Sequence, residues 1–249
     1  MKKIILTTSI LLLTISSILS QTYDKKNNIL TFPPRKQNIE QDILTGYPVI
    51  FDDEALEYYN KAANSTYTNP DLAAEYYLEA IKIDPRFVQA YDNLGQLFRV
   101  LEKYDLAITC YKKSIEICPN GNIAHANLAT LYRTQNKIED AINEYKKVID
   151  IKPNSAEGYY GVASIYLDQK KLDLALINGE KALAIYKKNP NSGIGDGYGL
   201  VGLIYYYLGN HSKAKTHIQL AKEKYSEYDL KEVFNDTFPL WMLKELSIE

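Results

Sequence analysis

Residues 88–121 read VQAYDNLGQLFRVLEKYDLAITCYKKSIEICPNG, and residues 122–155 read NIAHANLATLYRTQNKIEDAINEYKKVIDIKPNS. Placed one above the other, the two stretches keep their residue classes in step. Tyr91 falls on His125, Leu94 on Leu128, Gly95 on Ala129, Phe98 on Tyr132, Ala107 on Ala141, Tyr111 on Tyr145 and Pro119 on Pro153. A fixed period of this length is the mark of a chain built from stacked copies of one supersecondary unit. Within each copy the apolar positions recur at three- and four-residue steps, the pattern of an amphipathic helix. A short polar link divides each copy into two such helices, so the unit is an antiparallel helix pair.

Sliding outward by the same step finds further copies. Pro85 precedes Pro119 and Pro153, and Ala73, Ala107, Ala141 and Ala175 form one series. Residues 156–190 make a fourth copy with Tyr159, Val162, Ala163, Tyr166, Ala175 and Ala182, although Gly179 stands where an aromatic is expected. Its second helix is expected to reach Asn189, ahead of Pro190. The glycines 193, 195, 197 and 199 read as a flexible connector into a fifth copy, 195–225, with Tyr198, Val201, Gly202, Tyr205, Ala214 and Ala221. The first copy, 54–87, is degenerate: Glu57 and Lys61 take positions where a large apolar and a small residue are expected. Its second helix has Asn69 and Pro70 as cap and first turn. Small residues at Gly95, Ala129, Ala163 and Gly202 let paired helices approach closely. The packing positions also absorb much of the high tyrosine content, 22 Tyr against one Trp.

The motif large–x2–Leu–small–x2–aromatic, then Ala–x3–aromatic–x2–small, then Pro, resembles the tetratricopeptide repeat. The resemblance implies an all-α fold, a right-handed superhelical solenoid of stacked antiparallel helix pairs. It also implies a function: the first helices line a concave groove that holds an extended peptide or a protein partner. Carried over position by position, the groove would use Gln89, Asp92, Asn93, Gln96 and Arg99 of the second copy. The third copy would give Asn127, Thr130 and Arg133, and the fourth Tyr160 and Ser164. Asn93 and Asn127 share one repeat position, and a carboxamide carries both a donor and an acceptor for a peptide backbone. The series stops at Gly161. Arg99 and Arg133 also share a position, which points to an acidic feature on the ligand.

The ends differ in kind. Residues 1–20, with Lys2 and Lys3 before the apolar run Ile4–Leu19 and then Ser20, read as a signal peptide cleaved before Gln21. An uncleaved anchor would need roughly 20 apolar positions. The expected location is therefore periplasmic or secreted, with no stable membrane insertion after cleavage. Residues 21–53 show no period and read as an irregular arm. In 226–249, Leu230, Val233, Phe234, Phe238, Leu240, Trp241, Leu243 and Leu246 recur at helical spacing. The first reading is a helix capping the last copy, and the second a surface for self-association.

Chemistry-bearing motifs are sparse. A net charge of -2 argues against nucleic acid as the main partner. Cys110 and Cys118 fall in one helix about 12 Å apart, beyond the reach of a disulfide. His125 takes a packing position, while His211 and His217 are six residues apart and point to different sides of a helix. No nucleophile elbow, phosphate loop or HExxH pattern occurs, so no cofactor, no metal and no catalytic activity is expected.

Overall fold

The computed structural model describes residues 52–188, 193–227 and 231–248, together with the two-residue strands Tyr23–Asp24 (β1) and Ile29–Leu30 (β2). The expected signal peptide and most of the expected arm lie outside these residues. β1 and β2 pair antiparallel, Tyr23 opposite Leu30, and β2 lies against the helix of residues Tyr104–Ile117. Everything else described is helix or the turns and short links between helices.

Twelve helices follow in order among the described residues: α1 Asp53–Ser65, α2 Pro70–Ile83, α3 Val88–Val100, α4 Tyr104–Ile117, α5 Asn122–Thr134, α6 Ile138–Ile151, α7 Ala156–Asp168, α8 Leu172–Lys188, α9 Gly193–Tyr207, α10 His211–Glu227, α11 Lys231–Thr237 and α12 Leu240–Glu245. The fold is all-α, as the 34-residue period implies. The chain divides into two compact units between Leu131 and Tyr132, a division that falls inside α5.

In the first unit α1 packs on α2, α2 on α3, and α3 on α4. Local chemistry sets the helix starts. Asp52 caps α1 by accepting from the Glu54 and Ala55 amides at 3.0 and 3.1 Å. Asn69 caps α2 through the Leu72 amide at 3.2 Å, and Pro70 takes the first turn, where its missing N–H goes unfelt. The aromatic at the head of the first helix is pinned in the same way in two copies. The Tyr91 hydroxyl donates to the Pro85 carbonyl at 3.2 Å, and His125 Nε2 meets the Pro119 carbonyl at 3.1 Å. A carbonyl only accepts, so that histidine nitrogen carries the hydrogen. His125 is thus a tethered core residue. Cys110 and Cys118 are buried and outside any disulfide.

In the second unit α6 packs on α7, α7 on α8, α8 on α9, and α9 on α10. The tail closes the end. Phe234, Phe238, Met242, Leu243 and Leu246 join Ile218, Ala221 and Tyr225 in one core cluster, with Phe234 and Phe238 4.8 Å apart. The Tyr206 hydroxyl donates to Glu245 at 2.5 Å and ties α12 to α9.

Four of the five first helices, α3, α5, α7 and α9, end in one device. Glu102, Asn136, Lys170 and Gly209 adopt left-handed φ of 57°, 58°, 58° and 75°. The following amides, of Lys103, Lys137, Lys171 and Asn210, bond back to the carbonyls of Phe98, Tyr132, Tyr166 and Tyr205 at 2.8 to 2.9 Å. This is the Schellman cap. In three of the four, the lysine ammonium also lies over the ring of that aromatic residue, at 5.7 to 6.0 Å.

The glycine stretch is a correction. Gly193, Gly195, Gly197 and Gly199 are not a connector but the first two turns of α9. Their neighbours explain them. A Cβ at Gly197 would stand 2.8 Å from the Tyr186 ring, one at Gly199 3.0 Å from Phe238, and one at Gly195 3.2 Å from Tyr225. Glycine there makes room for rings from three other helices or turns, which local composition could not reveal.

Candidate peptide-binding surface

In the first unit α3 carries five of the groove residues expected from the sequence. Gln96 is exposed, whereas Gln89, Asn93 and Arg99 are half-buried. Asn93 donates its amide to the Tyr59 hydroxyl at 2.9 Å. That ring stacks on Phe87 at 4.8 Å and meets Tyr77 edge-on at 5.8 Å. Asn93 is therefore held in a fixed pose by one of its two amide N–H groups, and its carbonyl oxygen is left to accept. Burial raises the Tyr59 pKa, which keeps the hydroxyl protonated. Beside this pair lies an open pocket of about 250 Å³ at the ends of α1 and α3, with Asn93 and Gln96 on one wall and Tyr67, Tyr77, Leu97 and Val100 among its apolar lining. Tyr67 is 96% exposed at its mouth.

Two α3 residues are placed differently from the sequence expectation. Asp92 is only 5% exposed; it faces Ser114 across the α3–α4 seam and presents nothing to a groove. Burial raises its pKa to about 7. The Arg99 guanidinium lies beside the buried Tyr111 hydroxyl, and its Nε is buried as well. On α5, Asn127 is half-buried, and Thr130 turns its hydroxyl back to the Ala126 carbonyl at 3.1 Å.

In the second unit Arg133 reaches Asp168 through Nε and Nη2 at 3.1 and 2.6 Å. Arg99 and Arg133 share a repeat position but not surroundings, so they do not form a matched pair of open cations. Ser164 is buried and faces the Tyr160 hydroxyl, whose pKa is raised by burial. The reason for the missing third asparagine is steric: a Cβ on Gly161 would stand 2.3 to 2.5 Å from the outer atoms of the Tyr145 ring.

Tyr59 was missed from the sequence, although a signal was present. It stands one period before Asn93, so Tyr59, Asn93, Asn127 and Gly161 occupy one repeat position. The degenerate first helix hid the series. No group of three or more His, Cys, Asp or Glu side chains among the described residues could hold a metal ion, and no helix among them is long and apolar enough to cross a membrane.

Residues 88–120 match the family described as tetratricopeptide repeat, and residues 130–170 the one described as TPR repeat. No curated protein matches the sequence. Among solved structures, the chain is similar to MamA (residues 41 to the end) of Desulfovibrio magneticus RS-1, at 18% identity over 72% of this chain and 99% of that one, TM-score 0.58. It is similar to a thermophilic TPR protein of Thermus thermophilus, at 16% identity over 74% and 98%, TM-score 0.59. A third similar structure is YrrB, described as a TPR protein with an unusual peptide-binding site, at 21% identity over 71% and 89%, TM-score 0.51. At these identities the likeness is one of fold.

Proposed function

We propose that this protein is an exported, non-enzymatic scaffold that binds an extended segment of a protein partner on the first-helix surface of its first unit. The observation that carries this reading is the Tyr59–Asn93 pair beside the pocket at the ends of α1 and α3. A carboxamide held by a half-buried phenol presents a fixed acceptor to a peptide amide, and the pocket beside it takes an apolar side chain. Pockets that bind ligands commonly combine apolar walls with a few convergent polar groups. Asn127 extends the row by one period. Each backbone contact of this kind contributes roughly 0.5 to 1.5 kcal/mol, so two of them give about tenfold to a few hundredfold in affinity, and the apolar pocket must supply the rest. The export part of the reading rests on the charged start and apolar run of residues 1–20.

The test uses site-specific photo-crosslinking in the native cell, with the crosslinker at Gln96 and, as a control, at the exposed Lys112 of α4. A partner trapped from Gln96 and lost in Asn93→Ala/Asn127→Ala supports the groove. Equal capture from both positions refutes it. Intact mass of the recovered protein decides export: a chain starting at Gln21 supports it, and a full-length chain in the cytosol refutes it.

A second reading is self-association through the tail. It is favoured by Leu240 and Trp241, which stay 74% and 57% exposed while their neighbours Met242 and Leu243 on α12 are buried. Light scattering on the purified chain and on Trp241→Ala separates the two: a dimer lost in the variant favours the tail.

A further inference from the structure

Five buried side-chain polar atoms of one helix pair, α3 and α4, lack a well-aligned hydrogen bond, although Ser114 approaches Asp92 and Arg99 approaches Tyr111. They are Gln89 Oε1, both carboxylate oxygens of Asp92, Arg99 Nε and the Tyr111 hydroxyl. Buried polar atoms are nearly always paired, so a cluster of this kind calls for a reason. Asp92 is the most demanding member, because an ionised carboxylate out of water carries a large desolvation cost unless a cation or several donors meet it. The groups that face it are Ser114, Cys110 and Tyr111 from α4, Cys118 just beyond the end of α4, and Tyr59 from α1. All are neutral near pH 7, and burial pushes the Cys110 and Cys118 thiols and the Tyr59 and Tyr111 hydroxyls further up. The one cation on the same helix face, Arg99, stands two turns away against Tyr111.

We propose that the α3–α4 seam is a proton-operated clasp, closed while Asp92 is a neutral acid and loosened when that carboxyl ionises. The clasp stands independently of what α3 binds; only its effect on a ligand held by Asn93 and Gln96 rests on the function proposed above. The direction follows from the two states of the seam. Closed, Asp92 holds its proton up to about pH 7; open and hydrated, it releases it near the ordinary value of 3.8. Between those limits the open form binds fewer protons, so opening becomes easier as pH rises and levels off above about 7. The groove helix is thus firmly seated in mildly acidic surroundings and loosened from neutral upward.

Hydrogen exchange of the full chain reads the clasp directly, with protection factors corrected for the intrinsic pH dependence of exchange. The opening equilibrium of α3 and α4 should rise roughly tenfold per pH unit from pH 5 to about 6.5 and then flatten, while α9 and α10 stay constant. Asp92→Asn should remove the slope. A flat α3–α4 profile in the wild type, or an equal slope in the variant, overturns the clasp. If Asp92→Asn does not fold, the carboxyl carbon-13 signal of wild-type Asp92 decides: a midpoint near 7 supports the proposal and one near 4 overturns it. No ligand enters either measurement, so failure here leaves the binding reading standing, and a failed crosslink leaves the clasp standing.

Discussion

Gly161→Ala adds one carbon to α7, and its consequence depends on a single ring. The added Cβ would stand 2.3 Å from Tyr145 Cζ, 2.4 Å from Cε1 and 2.5 Å from Cε2. Contacts that short require movement, and Tyr145 is buried, with little room to move. Overpacking of this sort costs about 1 to 3 kcal/mol, against about 1 kcal/mol gained because alanine is the better helix former. We expect a net loss of about 2 kcal/mol at this closeness of approach. Replacing Tyr145 by leucine removes the Cε and Cζ atoms that cause the clash, at a cost of its own of a few kcal/mol. In that background Gly161→Ala should keep only the helix-propensity gain and stabilise by up to about 1 kcal/mol. The interaction energy of the double-mutant cycle is then about 3 kcal/mol, well above ordinary non-additivity. Urea unfolding of the four proteins, followed by circular dichroism, measures it. If Gly161→Ala costs the same in both backgrounds, the ring is not what keeps the third asparagine out of the series.

Other substitutions probe the repeat itself. Gly95→Leu should destabilise by several kcal/mol, since even a Cβ there would lie 2.7 Å from Tyr111, while Gln96→Leu on the exposed face should shift the melting temperature little. Glu102→Gly should raise stability by about 1 kcal/mol, because a left-handed φ of 57° is costly for glutamate and free for glycine; Asn136→Gly should give less, as asparagine tolerates that conformation. A fall in melting temperature for Glu102→Gly would count against the cap geometry. Asn69→Ala should cost about 1 kcal/mol by removing the acceptor for the Leu72 amide, and a change below the error of chemical unfolding would count against that cap.

The helix pairs were legible because they depend on near neighbours. Three- and four-residue apolar spacing, a proline after the second helix of the first three copies and a small residue at Gly95 or Ala129 act within one copy and recur in the next, so the period multiplies a weak local signal. Where repetition falters, so does the reading. The glycines at 193–199 resemble a connector because a helix with four glycines is locally unfavourable, and only the rings of Tyr186, Tyr225 and Phe238 make it favourable. The groove positions were legible as positions on a helix, but not as surface.

Asp92 and Gln96 stand one turn apart on α3, yet one is sealed against Ser114 and the other is exposed. Arg99 and Arg133 hold one repeat position, yet one turns to Tyr111 and the other to Asp168. The sequence by itself determined the helices, their order and the class of fold, because hydrogen bonding and apolar periodicity are properties of a chain segment. Which side chain is open, which is paired and which carboxyl must keep its proton was decided only by the tertiary structure, because burial and charge compensation depend on atoms that another helix brings.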